Sequence, residues 1–468
     1  MTQSISLVQQ RLAQHYVDTL QRANTAIQRG RGNRGHWYNQ IEQDWEQIRQ
    51  WQAWSAGASD LEKERAKLCI DFSIGGIDVL RVRQTPTDRI QWMKMALAVA
   101  QKIGNTTAEC TALHELGHTY FYIGATEDAT DAAQMLLKLA DPTHDSFNLG
   151  RAWYILGQVA LHHGKLDEAE SALIKGMDYL QQAGAEAEYG RALQAYGRIA
   201  LFQGDNQTAY ERFARYVNIV ERSGREAELV PAYITMNNVL LALQDYPQAK
   251  RYAERALQIG LKTGFQRMMS TVWLCLGAAE AELGELDQAC AHFLQGITHA
   301  RALQGLSSLI DLLRNLANVE MRLGRTADAH AHLLEALELS RQPNILYYLC
   351  EVTAALAHWH LVQHQTEIAR LYLREAFGFA EQLHHPRFFA VALAPALLLV
   401  HTEGQAEQAA IWMGVLAAYA DDLEPYLYGD LKTRLQEGLS AAQFAQALAR
   451  GADIQLTDAV AEIRTLIQ

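Results

Sequence analysis

Proline is scarce in this chain, 8 of 468 residues, so long helices can run without the breaker that removes a backbone donor and clashes with the preceding turn. Cysteine is scarcer still. The five, Cys69, Cys110, Cys275, Cys290 and Cys350, are odd in number, scattered and never in a CxxC spacing, which argues against a disulfide framework or a zinc ribbon and fits a reducing cytoplasm. Basic charge is in deficit: 41 Lys and Arg against 53 Asp and Glu leave a formal net charge of −12, so no global field draws a phosphate backbone to the surface. Long apolar runs are missing too. The longest, Phe388 to Val400, is 13 residues and contains Pro395, too short to span a bilayer. The opening MTQSISLVQQ has no basic segment ahead of an apolar one, so no secretory signal is read. A soluble, cytoplasmic protein is expected.

What is abundant is a repeat. Hydrophobic residues make up 49% and charged residues 20%, enough to build a core. Stepping by forty from Gly117 gives Gly157, Gly197, Asn237, Gly277, Ala317, Ala357 and Leu397. Seven residues after each anchor stands a turn position: Gly124, Gly164, Gly204, Gln244, Gly284, Gly324, His364 and Gly404. Twelve after each anchor stands alanine in every copy: Ala129, Ala169, Ala209, Ala249, Ala289, Ala329, Ala369 and Ala409. A small anchor predicts close approach of two helices, the alanine supplies the facing small residue, and the turn glycine caps the first helix in a left-handed conformation. A second set of caps, Gly104, Gly184, Gly224, Gly264 and Asn344, closes the second helix. Leu97, Leu137, Met177, Val217, Leu257, Ile297, Leu337 and Phe377 are expected to give that helix its core face.

The pattern, as in YILGQVALHHGKLDEAESALIKGM, resembles the tetratricopeptide repeat. At forty residues per copy it is similar to the regulatory sensor arms of the signal-transducing ATPases with numerous domains. The resemblance implies an all-α fold: an α-solenoid, a right-handed superhelix of tetratricopeptide-like hairpins with helical caps at both ends. Residues 1–59 are expected as the N-terminal cap, 60–420 as about nine repeats and 421–468 as the C-terminal cap. Within the first cap two helices are expected, about Ser6 to Gln28 and Trp37 to Trp54, the second with Trp45, Ile48, Trp51 and Trp54 on one face. Thr457 is expected to N-cap the last helix. No Walker sequence and no basic recognition helix is found, so the likeness is to the sensor arm alone.

In tetratricopeptide repeats the first helix faces the groove six and three residues before the anchor, and one and four after it. Carried onto this chain, that register puts Thr111, His114, His118 and Phe121 on the wall, followed by Arg151, Tyr154, Gln158, Arg191, Gln194 and Arg198. Ile234, Asn238, Asp311, Arg314, Asn318, Glu351 and His358 follow. Arg151, Arg191 and Arg198 are candidates for a cationic pocket, since guanidinium is the preferred fork for carboxylate or phosphate. Arg314, Asn315 and Asn318 resemble the cation and Asn pairing by which some tetratricopeptide domains clamp a terminal carboxylate. The opposing account pairs the arginines with Glu186, Glu188 and Glu228.

His114-Glu115-Leu116-Gly117-His118 satisfies HExxH, the zinc-hydrolase pattern. Yet Leu116 and Gly117 are already repeat residues, and no third ligand motif is visible; the two histidines are read as groove lining, with no metal and no cofactor. Arg29, Arg31 and Arg34 are read as a basic loop rather than an RNA site. Trp153, Trp273, Trp359 and Trp412 are read as core. The expected function is a non-catalytic, regulatory binding scaffold or sensor arm that takes a peptide, a protein segment or a small effector in its concave groove, working with a separate effector domain or protein. A peptide-pheromone receptor of the Rap type is the alternative, and a zinc hydrolase using HELGH a third. Neither membrane nor nucleic acid is an expected partner.

Overall fold

The structure, a computed structural model, describes residues 2–28, 34–57, 63–224, 226–263, 268–341, 345–417, 425–436 and 438–467. Among them every regular element is a helix. Contacts divide the chain into two compact units: Met1–Met236 with Ile259–Phe265, and Asn237–Gln258 with Gln266–Gln468. The boundary falls inside the expected repeat region.

In the first unit, α1 (Thr2–Gln28) and α2 (Arg34–Ala56) precede α3 (Lys63–Ile74) and α4 (Ile77–Arg83), which a turn at Gly75 and Gly76 separates, and then α5 (Pro86–Ile103). Hairpins follow: α6 (Thr106–Tyr122) with α7 (Thr126–Ala140), α8 (Ser146–His162) with α9 (Leu166–Gln182), and α10 (Glu186–Phe202) with α11 (Asn206–Ser223). The α12 helix (Glu226–Ala242) and α13 (Tyr246–Thr263) come next. The second unit continues with α14 (Met269–Glu282) and α15 (Leu286–Ala302), α16 (Leu306–Arg322) and α17 (Thr326–Arg341), α18 (Leu346–Val362) and α19 (Thr366–Leu383), and α20 (Pro386–Thr402) and α21 (Ala406–Ala417). It ends with α22 (Pro425–Gln436), α23 (Ala441–Ala452) and α24 (Leu456–Ile467). Each hairpin packs its two helices together, and first helices of successive hairpins also touch, α6 on α8, α8 on α10, α14 on α16 and α16 on α18.

The repeat positions do what their chemistry demands. All eight alanines of the series are fully buried. A Cβ added at the anchor Gly197 would lie 2.4 Å from the Phe213 ring, and at Gly277 2.5 Å from the Phe293 ring, so the anchor must be small because a large side chain of the second helix, sixteen residues on, lies over it. Asn237 is the exception that fits. Its Nδ2 donates to the carbonyl of Ala249, the alanine of its own copy, at 3.0 Å, so the nitrogen of its buried amide is partnered. Ala249→Leu is expected to overpack this contact and destabilise by about 1–3 kcal/mol; urea unfolding measures it, and a variant as stable as the parent would refute the register.

Every turn position has positive φ, including Gln244 at 59° and His364 at 57°. The caps of the second helices do likewise at Gly104, Gly184 and Gly224, while Gly264 and Asn344 lie outside the described residues. The sequence reading missed three members of that set, His144, Gln304 and His384, which adopt φ of 49–54° although none is glycine or asparagine. The forty-residue period imposes a reversal every twenty residues even where the side chain disfavours it. The expected core series is also corrected: Leu97, Leu137 and Leu257 are only half-buried, while the residue before each, Ala96, Leu136 or Ala256, is fully buried.

At the N-terminus, Ala13, Val17, Leu20, Ile41, Trp45 and Ile48 share a core with Leu68, Phe72, Leu80 and Trp92. Trp45 stacks on Trp92 with ring centroids 5.9 Å apart. Thus α1 and α2 cover the α3–α5 group. Arg29 and Arg31 lie outside the described residues. At the other end Thr457 is not an N-cap: α24 begins at Leu456, whose burial draws it into the first turn, and the Gln455 carbonyl accepts from the Asp458 and Ala459 amides. Of the four tryptophans expected in the core, Trp412 and Trp359 are buried. Trp153 and Trp273 are half-buried, under Lys175 at 4.7 Å and stacked on His292 at 5.3 Å. No helix among the described residues is long and apolar enough to cross a membrane.

Candidate functional site

Within the first unit Arg81, His114, His118, Arg151, Tyr154, Leu180, Glu188 and Arg191 line one pocket of about 40 Å³, room for roughly three water molecules or one small polar group at about 10–15 Å³ per water. Five of these residues are expected wall positions, carried by three successive first helices, α6, α8 and α10. Helix α6 contributes positions −3 and +1 from its anchor, α8 positions −6 and −3, and α10 position −6. Each helix thus offers residues nearer its own N-terminus than the one before.

Three carboxylates hold two of the arginines. Glu115, 1% exposed, takes Arg81 through both oxygens, Nη2 at 2.5 Å and Nε at 3.2 Å; Asp78 takes Arg81 Nη1 at 3.3 Å. Burial pushes the Glu115 carboxyl up, but the charge and hydrogen bonds of Arg81 outweigh it and hold it below the ordinary value of 4.5. Burial likewise disfavours the Arg81 cation, and Glu115 more than compensates. Glu188 takes Arg191 at 2.8 Å, three residues on in the same helix.

Arg151 is held differently. Its guanidinium lies over the Phe147 ring at 4.3 Å, and its buried Nε has no hydrogen-bond partner. Burial lowers its pKa, with Glu188 and Glu115 opposing, yet a guanidinium stays protonated. His114 is 6% exposed, and its Nδ1 also lacks a partner. Burial, then the Arg151 charge, lowers its pKa well below 6.5. His118, with its ring 6.4 Å from that of His114, is lowered to about 4 by burial and then by Arg81. Both imidazoles are therefore neutral at pH 7. Burial raises the Tyr154 hydroxyl, with Arg191 and Arg198 opposing. Arg198 is exposed, does not line the pocket and acts on Tyr154 through its charge alone.

The HExxH geometry is put to another use. Its glutamate is the buried counter-ion of Arg81, and among the described residues no group of three or more His, Cys, Asp and Glu is placed to hold a metal ion. Asn238, Arg314, Asn318 and His358 lie in the second unit. Arg314 faces Glu351 at 3.6 Å, and Glu351 also takes Arg387 at 3.1 Å. Asn315 donates to the Asp311 carbonyl of its own helix, and Asp311 accepts from Tyr348 at 2.9 Å. The polar groups expected there as a carboxylate clamp are thus engaged with the protein itself. Asn238 is exposed and accepts from Cys275 Sγ at 3.6 Å; His358 is buried. Ile234 is core rather than wall, and Gln194 donates to Thr235 at 2.8 Å.

The family model for the tetratricopeptide repeat matches residues 268–342, the stretch that holds α14 to α17. Residues 268–342 thus carry tetratricopeptide repeats. Solved structures agree in fold. A signal transduction ATPase with numerous domains that carries a tetratricopeptide repeat sensor, from Pyrococcus horikoshii, aligns at 14% identity and TM-score 0.52, covering 82% of this chain and 55% of that one. A Rap protein complexed with competence and sporulation factor aligns at 14% identity and TM-score 0.51, covering 73% of this chain and 99% of that one. No curated protein sequence matches the chain.

With the tetratricopeptide register in hand, the residues missed by the sequence reading are explained. Arg81 is four residues after position 77, which is forty before Gly117, so it occupies a wall position of the degenerate first copy, whose first helix is broken into α3 and α4. Glu188, three residues before Arg191, was read only as a counter-ion. Leu180 comes from a second helix, α9, which the wall rule does not cover.

Proposed function

We propose that this chain is a non-catalytic binding scaffold of regulatory type that captures a peptide or protein segment at the polar face of its first unit. One observation carries the reading: three successive first helices converge arginine, histidine and tyrosine side chains on one small pocket, and two buried atoms of those side chains, His114 Nδ1 and Arg151 Nε, have no hydrogen-bond partner among the described residues. Buried polar groups in folded proteins are almost always satisfied, and two such atoms on side chains that line one pocket favour a polar ligand there. Preformed helices hold the lining in place, so little ordering cost is added on binding. The likeness in fold to a tetratricopeptide sensor and to a Rap protein held with competence and sporulation factor supports a sensor or receptor role. Glu115 bound to Arg81 speaks against its serving as the base of a hydrolase.

The test is a display library of short peptides panned against the purified chain. Enriched peptides are expected to lose at least about tenfold in affinity for the double variant Arg191→Ala, Arg198→Ala, roughly the worth of one charge-assisted contact, while melting temperature and helix content stay near the parent's. A library that enriches nothing, or peptides indifferent to the double variant, would overturn the proposal.

A further inference from the structure

The repeat obeys a further rule where successive second helices run side by side. The residue three after the anchor and the residue fifteen after it meet there. Glu280 takes His292 at 2.5 Å and Glu320 takes His332 at 2.8 Å, and His360 stacks on Tyr372 at 5.3 Å. In the copy anchored at Gly197 the later position is Arg212, which covers the Tyr196 ring at 3.5 Å. Of the eight copies only the one anchored at Gly157 has alanine at both positions, Ala160 and Ala172. The space those small residues leave is an open groove of about 600 Å³ between α7 and α9, with α8 as its floor. The floor is apolar: Trp153, Leu156 and Val159 line it, and Trp153 is only half-buried. The groove shares no lining residue with the arginine pocket.

Its charge is negative. Glu127, Asp131 and Glu168 line it with one cation, Lys165, which binds Glu168 at 3.2 Å. Lys175, outside the lining, stands over the Trp153 ring at 4.7 Å; three carboxylates against these two ammonium groups leave one negative charge. Glu127 and Asp131, one turn apart on α7, have no ion-pair partner among the described residues.

The chain itself shows what covers a groove of this kind. In the second unit α24 packs against α19, α20 and α21, which correspond by repeat position to α7, α8 and α9. Val460, Ile463 and Ile467 of α24 are buried there in one core with Leu393, Leu399 and Trp412. Arg370 donates to the Leu466 carbonyl and to Glu403, and these two partners of α24 and its neighbours, Arg370 and Glu403, hold the repeat positions of Thr130 and His163, both of which line the open groove. Arg464 of α24 pairs with Glu381 of α19. An amphipathic helix with a cation beside its apolar stripe is thus the occupant that this framework accepts.

We propose that the groove between α7 and α9 is a docking surface for an amphipathic helix of a partner protein, which lays apolar side chains one turn apart on Trp153 and Leu156 and turns lysine or arginine toward Glu127 and Asp131. This is the helix-in-groove mode of recognition, and it is a second surface beside the polar pocket, independent of what that pocket takes.

The experiment uses the full chain labelled with 15N at the tryptophan indoles, the Trp153 resonance being assigned by its loss in Trp153→Phe. The probe is a helical alanine-based peptide with isoleucines at i and i+4 flanked by arginines. Its controls are a peptide of the same composition with the isoleucines on opposite faces and one with glutamate in place of arginine. The probe is expected to shift the Trp153 resonance saturably, with Kd in roughly the 0.01–1 mM range for so small a contact, and both controls to bind at least about fivefold more weakly. Ala172→Tyr, which installs the residue that Tyr252 and Tyr372 supply at this position, should abolish the shift with the melting temperature unchanged or raised. Ala160→Leu, matching Leu240, is an independent block, so the result does not rest on one variant folding. Glu127→Gln with Asp131→Asn should weaken the probe by roughly three- to fivefold, the worth of exposed ion pairs, and flatten its salt dependence. A silent Trp153 resonance, equal binding of the probe and either control, or full binding to both blocked variants would overturn the proposal. Sedimentation is run alongside. A parent that self-associates while Ala172→Tyr stays monomeric would make the occupant a second copy of this chain and overturn the partner helix.

Discussion

Arg81→Ala is expected to destabilise the first unit by about 3 kcal/mol, because it strips the counter-ion from a carboxylate that is 1% exposed. Breaking a buried ion pair from one side typically costs about 3–5 kcal/mol, and the lower end applies because the Arg81 side chain is itself a quarter exposed. Glu115→Gln should cost less, since the amide keeps one acceptor for Arg81 and leaves no buried anion. The pH dependence separates this from a loss of packing. In the parent, Glu115 titrates below its unfolded value of 4.5, so its contribution is present above that pH and is lost as pH falls through the folded value. In Arg81→Ala the two main opposing causes are gone and burial, opposed only by the smaller effects of His118 and Arg89, raises the carboxyl, so proton uptake relieves the buried charge and the deficit against the parent shrinks as pH is lowered from 7 toward 4.5. Urea unfolding of both variants at several pH values measures this. A deficit that is constant across that range would show that Glu115 is not a buried anion.

A second large effect is expected where two helices of the second unit meet backbone to backbone. A Cβ on Gly451 of α23 would stand 1.9 Å from the Ile411 carbonyl oxygen of α21, and one on Gly414 would stand 2.2 Å from the Leu448 carbonyl oxygen. Helix propensity alone favours Gly451→Ala by about 0.5–1 kcal/mol. The contact decides the sign, because backbone cannot rotate away as a side chain can: α23 must leave α21, and Trp412, Phe444 and Ala447, which share one core, lose their packing. A net loss of about 3 kcal/mol or more is expected, at the upper end of overpacking effects. Gly378→Ala is the control. It lies inside α19 with nothing within 4 Å of the added Cβ, so it should stabilise by about 0.5–1 kcal/mol. Thermal unfolding of the two variants compares them, and a Gly451→Ala chain as stable as Gly378→Ala would show that α21 and α23 are not in this contact.

These two sites differ in how far they could be read beforehand. Arg81 was within reach: the period that placed His114 and Arg151 on the wall also places Arg81 there when carried one copy toward the N-terminus. It was passed over because Gly75 and Gly76 interrupt the helix and hide the anchor at Ile77. The contact of Gly414 with Gly451 was out of reach, since α23 lies past the last repeat and no spacing relates the two residues. The same distinction separates the two arginine groups. Arg151 and Arg314 are both wall positions, six and three residues before their anchors, yet Arg314 meets Glu351 from the next first helix while Arg151 meets no carboxylate there, and only coordinates register that difference.

The sequence by itself determined the helical hairpins, their forty-residue period, the buried alanines and the positions of reversal, because each depends on local geometry: a small residue where helices touch, a left-handed residue where the chain turns. It also named five of the residues that meet in the pocket. The tertiary structure alone decided which polar groups are already satisfied by their neighbours and which are held in reserve. That depends on the inclination of one helix against the next and on which carboxylate comes within about 4 Å, quantities a periodic pattern does not encode.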